Sequence, residues 1–128
     1  MLHRKVRNLS GRCGILTGAT SGVGRALARL LAERGVRLVI SGRRESRLND
    51  LASEYPGVLI PLSGDITNST FQEELVGKAE AAFGGVDLVI AAAGAGAVGS
   101  FSESSLDTRR RVFAIDFFAP VELVYKSL

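Results

Sequence analysis

Tryptophan is absent from this sequence, and cysteine, histidine and methionine occur once each. A single thiol, Cys13, excludes an intramolecular disulfide. Its neighbours are apolar, so it reads as a buried strand residue rather than a reactive nucleophile. The one histidine, His3, sits in a polar tail, and no His/Cys cluster is spaced to hold a metal. No apolar run is long enough to span a bilayer. The basic start, Met1-Leu-His-Arg-Lys-Val-Arg-Asn, lacks the apolar core of a signal peptide, so the cytoplasm is the default setting. An excess of one charge is lacking too. Sixteen Lys and Arg stand against 13 Asp and Glu, net +3, too mild and too evenly spread to argue for nucleic acid. Aromatics make up only 6%, which leaves the core to aliphatic side chains.

What is plentiful is glycine, 15 of 128 residues, within a chain 46% hydrophobic and 23% charged. That is one ordinary globular domain in size and composition, with tight turns or close backbone approaches. Apolar runs alternate with amphipathic stretches. Residues 13–17 form a short apolar run ending in a Gly-rich turn. Residues 23–34 place Val23, Ala26, Leu27, Leu30 and Leu31 at helical spacing, with Gly35 as the stop. Residues 36–41 are apolar except for Arg37. Residues 45–55 predict a polar helix with Leu48 and Leu51 on one face, closed by Pro56-Gly57. Residues 58–62 are a third run, whose Pro61 is tolerable at a sheet edge. Asn68 or Thr67 caps a helix over residues 70–83, ended by Gly84-Gly85. Residues 86–93 are the fourth and most buried run. A last helix opens at residues 102–106 and continues to Leu128.

This βαβαβαβα order predicts an α/β fold, a Rossmann-like doubly wound parallel sheet of about four strands with helices on both faces. Right-handed crossovers give the strand order 3-2-1-4. Ligands of such sheets bind at the carboxyl ends of the strands, at the switch between strands 1 and 4. The two turns richest in Gly and Ala follow those two strands.

The first of these turns is Thr17-Gly-Ala-Thr-Ser-Gly-Val-Gly24. Gly18 permits a sharp exit from the strand, Gly22 lets N–H groups approach a pyrophosphate, and Gly24 lets the helix pack closely. The helix N-terminus adds orphan donors and a favourable dipole. Gly18, Thr20, Ser21, Gly22, Val23 and Gly24 are thus candidates for cofactor binding; a turn shaped only by packing is the alternative. No Lys-Ser or Lys-Thr follows, so this is not a P-loop. An NAD site often carries an acidic residue at the end of strand 2. Here Ile40-Ser41-Gly42 runs into Arg43 and Arg44. A guanidinium pairs well with the 2′-phosphate of NADP, and cations at a helix start oppose its dipole, which argues against a purely structural pair.

Thr17-Gly-Ala-Thr-Ser-Gly-Val-Gly24 resembles the TGxxxGxG fingerprint of the short-chain dehydrogenase/reductase family. Gly64-Asp65-Ile-Thr67 resembles the motif whose aspartate bonds the adenine amino group, which implies Asp65 on the adenine and Ile66 on its flank. Asp87-Leu-Val-Ile-Ala-Ala-Ala-Gly94 resembles the fourth strand and its Asn-Asn-Ala-Gly turn, and implies cofactor contacts at Ala92, Ala93 and Gly94. The family's two asparagines are Ala91 and Ala92 here, which removes a tie across the central sheet. Val112-Phe-Ala-Ile-Asp116 resembles the segment bearing the family's catalytic asparagine. That residue helps place a water in a proton relay to the active-site lysine, so the resemblance implies a catalytic position for Asp116; a helix aspartate facing solvent is the alternative.

The resemblance implies an NADP(H)-dependent oxidoreductase, with NAD(H) the weaker candidate, moving a hydride between the nicotinamide and a small-molecule carbonyl or alcohol. Family members are roughly twice this length. Their catalytic serine and Tyr-x-x-x-Lys would lie beyond Leu128, so residues 1–128 are expected to be the cofactor-binding part and inactive alone. Tyr125-Lys126 has the wrong spacing to be that motif. Tyr125 reads instead as a packing residue beside Ala119, Val121, Leu123 and Val124. The fourth strand is expected to be open along one edge. Dimers and tetramers are implied as well; Phe113, Phe117, Phe118 and Val121 suit either an interface or the sheet. Residues 96–101 suit either the near side of a substrate pocket or loop packing. Three readings stay open: the front part of an oxidoreductase, a short dinucleotide-binding module without chemistry, and a sheet fragment acting through its edge. No nucleic-acid or membrane partner is expected.

Overall fold

The computed structural model describes residues 7–128; His3 and the first residues of the basic start lie outside the described residues. The strands are β1 (Cys13–Thr17), β2 (Arg37–Gly42), β3 (Leu59–Ser63) and β4 (Leu88–Ala91). Between them run α1 (Gly22–Glu33), α2 (Glu45–Glu54) and α3 (Ser69–Phe83). After β4 come α4 (Leu106–Phe113), a π-helical turn (Ala114–Phe118) and α5 (Ala119–Lys126). All pairings are parallel, in the order β3-β2-β1-β4. The α/β doubly wound architecture and its strand order are those the sequence predicts. Pro61 lies in β3, an edge strand, where its missing donor costs least.

Strand periodicity divides the core in two. Ile15 and Val39 turn to one face, packing with Phe71, Leu75, Val76 and Ala79 of α3 and Leu123 of α5. Leu16, Leu38 and Ile40 turn to the other, under Ala28, Leu31 and Ala32 of α1 and Leu48 and Leu51 of α2. Neighbouring strand residues thus feed opposite layers, as buried parallel strands do.

Several expectations need correcting. The buried stripe of α1 is Gly24, Ala28, Leu31 and Ala32, whereas Val23, Ala26 and Leu30 are exposed. Rotation is set at Gly24, where a Cβ would lie 2.1 Å from the Gly18 carbonyl oxygen. The helix must turn this bare face inward, which carries Val23 outward. Residues 86–93 are not the most buried run: β4 is half-buried, because it lies at the sheet edge and, among the described residues, pairs only with β1. β1 is buried throughout, Cys13 included.

The last helix begins at Leu106, capped by Ser105, whose hydroxyl accepts from Thr108 N–H at 3.1 Å. It is broken by the π turn, where Ala119 N–H donates to Ala114 O, five residues back. Pro120 accounts for the break: it offers no N–H to the Asp116 carbonyl and its ring crowds that oxygen, so the ladder widens by one residue. Phe113, Phe117, Phe118 and Val121 are 55–62% exposed and do not face the sheet. Tyr125 is 77% exposed and packs on little. Its helix is held instead by Leu123, and by Lys126, whose ammonium donates to Ser69 Oγ at 2.6 Å and Gln72 Oε1 at 3.1 Å.

Asn68, not Thr67, caps α3, accepting from Phe71 N–H at 3.1 Å. Asn68→Ala should cost about 1 kcal/mol, read as a lower urea midpoint at unchanged slope.

Candidate functional site

The carboxyl ends of the strands open into a cleft of about 760 Å³, within the range of small-molecule sites. Its first wall is the turn from β1 to α1. Gly18 has φ +73°, and a Cβ there would meet the backbone of Ala92 and Ala93 at 2.5–2.6 Å. The turns after β1 and β4 therefore touch. Thr17 pins them together, its hydroxyl accepting from Ala93 N–H at 3.3 Å. This contact supplies some of the cross-sheet tie that alanines at 91 and 92 cannot make.

Ser21 precedes α1, but its side chain caps nothing, and the first turn holds no acidic residue. The helix thus presents uncapped N–H groups and its positive dipole end to the cleft. At Gly22 a Cβ would meet nothing within 4 Å, so the missing side chain leaves room for an anionic ligand to approach the backbone.

Arg43 and Arg44 extend from β2. Arg44 donates to Thr20 Oγ1 at 3.0 Å, bridging this turn to the first one. Arg43 is exposed and, among the described residues, has neither hydrogen bond nor ion pair. In the turn after β3, Asp65 Oδ1 accepts from Thr67 N–H at 3.0 Å and Thr67 Oγ1 at 2.8 Å. These two bonds, with the charges of Arg111 and Arg43 behind them, hold the carboxyl below its ordinary range. Asp65 is therefore an ionised acceptor at neutral pH, with Oδ2 unclaimed by the described residues. The adjoining Ile66 carbonyl accepts from the buried Gln72 amide at 2.8 Å, tying this turn to α3.

Gly18, Thr20, Ser21, Val23, Gly24, Arg43, Arg44, Asp65, Ile66, Ala92, Ala93 and Gly94 all line this one cleft. Gly22 lies between two of them. Asp116 does not line it; Asp116 Oδ1 accepts from Ala95 N–H at 2.8 Å, so the carboxylate is bound to the turn beyond β4 rather than turned idly to solvent. Residues 96–101 also lie outside the cleft, and Phe101 there carries the Arg109 guanidinium 3.7 Å above its ring. The sequence did not single out Ser41, Gly42, Gly64, Ala95, Arg111 and Ile115 as lining residues. Arg111 and Ile115 share a helix face by their spacing, but only the folded helix shows that this face meets the cleft.

The residues present fit a dinucleotide: bare backbone and a helix dipole for a pyrophosphate, a free carboxylate oxygen for an amine, and an unpartnered guanidinium for a further phosphate.

The family profile described as short chain dehydrogenase matches residues 12–128. An uncharacterized oxidoreductase of Staphylococcus aureus (strain USA300) is 37% identical over 87 residues, covering 67% of this chain and 38% of that protein. A short chain dehydrogenase of Pseudocercospora fijiensis is 33% identical over 120 residues, covering 90% of this chain and 39% of that one. Among solved structures, a short-chain dehydrogenase/reductase (glucose/ribitol dehydrogenase) from Brucella melitensis superposes with a TM-score of 0.89 at 27% identity, over 94% of this chain and 52% of that one. A short-chain dehydrogenase from Streptomyces avermitilis gives 0.86 at 30% identity, over 92% and 43%. The chain spans under two-fifths of the length of these curated relatives. With the fold, the fingerprint turn and the family profile in agreement, the chain belongs to the short-chain dehydrogenase family.

Proposed function

We propose that this chain holds NADP(H) for an oxidoreductase acting on a small carbonyl or alcohol. When bound, the cofactor supplies or accepts the hydride; the residues of this chain bind and orient it. The uncapped start of α1, with Gly18, Thr20, Ser21, Gly22, Val23 and Gly24, receives the pyrophosphate. Asp65 Oδ2 accepts from the adenine amine, and Ile66 flanks the ring. Ala92, Ala93 and Gly94 run beside the middle of the cofactor. Asp116 keeps the Gly94–Ala95 turn in place through Ala95 N–H, and it stands where the family's catalytic asparagine does. The serine and Tyr-x-x-x-Lys of that family are not among these residues, so the cofactor-binding part is what residues 1–128 contribute, and little catalysis is expected of them alone. The exposed Phe113, Phe117, Phe118 and Val121 suit self-association, and the cytoplasmic setting expected from the sequence belongs to the same reading.

The observation that carries the NADP preference is Arg43: a guanidinium without a partner among the described residues, at the end of a strand where an acidic residue would select NAD. Arg43→Ala is expected to weaken NADPH about tenfold or more in calorimetric titration, consistent with a charged hydrogen bond of about 1.5–3 kcal/mol, and to leave NADH nearly unchanged. Equal weakening of both cofactors would remove the assignment.

A further inference from the structure

Three arginines follow one another in α4, and they do different things. Arg109 donates to Ser104 Oγ at 2.9 Å and to the Phe101 carbonyl. Arg110 stands 3.9 Å from Asp107. Arg111 alone of the three lines the cleft, together with Ile115 one turn on. It is exposed and has no hydrogen bond or ion pair among the described residues. A helix that spends its acidic residue on Arg110 leaves Arg111 available to whatever the cleft admits.

We infer that Arg111 is an adenine-seating residue, its planar guanidinium lying over the purine while Ile66 and Ile115 supply apolar contact. This rests on the proposed dinucleotide reading. Asp65 marks where the purine must lie, because the amine it would receive is on the six-membered ring. The ribose hangs from the opposite side of the base, and the 2′-phosphate with it. A flat cation that lines the cleft with Asp65 and Ile66 is available to the face of that base. Arg111 comes from α4, after β4, and lines the cleft with Asp65, Ile66 and Ile115, whereas Arg43 enters it from the end of β2. Guanidinium is flat and weakly hydrated, and it favours aromatic faces in a way a carboxylate or amide does not. The two arginines thus divide the work: Arg43 selects the phosphate, and Arg111 binds any adenine nucleotide.

The test is titration of the full chain with NADPH, NADH, 2′,5′-ADP and 5′-AMP, comparing the unaltered protein with R111L, R111K and R43A. R111L is expected to weaken all four ligands by one common factor of about five. R43A should weaken only the two that carry the 2′-phosphate. Because Arg111 is exposed and unpartnered, R111L should melt with the unaltered chain. Loss confined to NADPH and 2′,5′-ADP would overturn the inference in favour of a phosphate ligand, and no loss would overturn it outright. Full affinity in R111K, erased for R111K and the unaltered chain alike by high salt, would mean only diffuse attraction to phosphate, and would also overturn it. If R43A fails to discriminate, the NADP preference falls while Arg111 stands on NADH and 5′-AMP. If the unaltered chain binds none of the four, both fall.

Discussion

Gly18→Val should destabilise this protein by about 3 kcal/mol or more, and it should abolish nucleotide binding at the same time. Two costs add. The residue sits at φ +73°, and left-handed backbone costs an L-residue about 1–2 kcal/mol, more for a β-branched one. The new Cβ would then meet Ala93 N at 2.5 Å and Ala92 C and O at 2.6 Å. These are backbone atoms of the neighbouring turn, with no flexible end to yield, and forced overpacking typically costs about 1–3 kcal/mol. Domains of this kind are stable by only about 5–15 kcal/mol. The measurement is urea unfolding followed by circular dichroism. A sharply lower midpoint with unchanged slope is expected. An unchanged midpoint would mean that the turns after β1 and β4 do not touch as described. The functional loss follows from the same contact, since separating those turns opens the cleft between the start of α1 and Ala92–Gly94.

Leu123→Ala should cost about 2–5 kcal/mol, the range for emptying a fully buried leucine site. Leu123 has no exposed surface and packs among Ile15, Val39, Phe71, Leu75, Val76 and Ala79. It is the large side chain by which α5 joins the core; the other buried residue of that helix is Ala119. Removing it leaves α5 held mainly by Lys126 on Ser69 and Gln72, and a few polar contacts do not replace apolar burial. Val121→Ala is the control: Val121 is 55% exposed, and its truncation should shift stability by less than about 0.5 kcal/mol. Equal effects of the two substitutions would contradict the packing of α5 on the α3 face.

The residues that line the cleft were legible in the sequence where they lie in one short stretch. The turn from Thr17 to Gly24 lies between a strand and a helix, so its place at the cleft can be inferred from its own sequence. The absence of an acidic residue before Arg43, and the position of Asp65 after β3, are of the same kind. Reading failed where burial depends on distant chain. Val23 and Leu30 keep helical spacing with Leu31, yet both are exposed, because the contact of Gly24 with Gly18 sets the rotation of α1. The fourth run is apolar enough for a central strand but is half-buried at the edge. Phe117, Phe118 and Tyr125 are apolar or aromatic on a helix and still face outward.

By itself the sequence determined the α/β alternation, the strand order and the Gly-rich turn after β1, because period, glycine placement and chain connectivity are properties of neighbouring residues. Tertiary structure alone decided that Thr17 ties to Ala93, that Asp116 holds Ala95, and that Arg111 turns to the cleft. Each of these joins residues brought together only when the helices dock on the sheet, and no local preference encodes which face of a helix meets a site built by other strands.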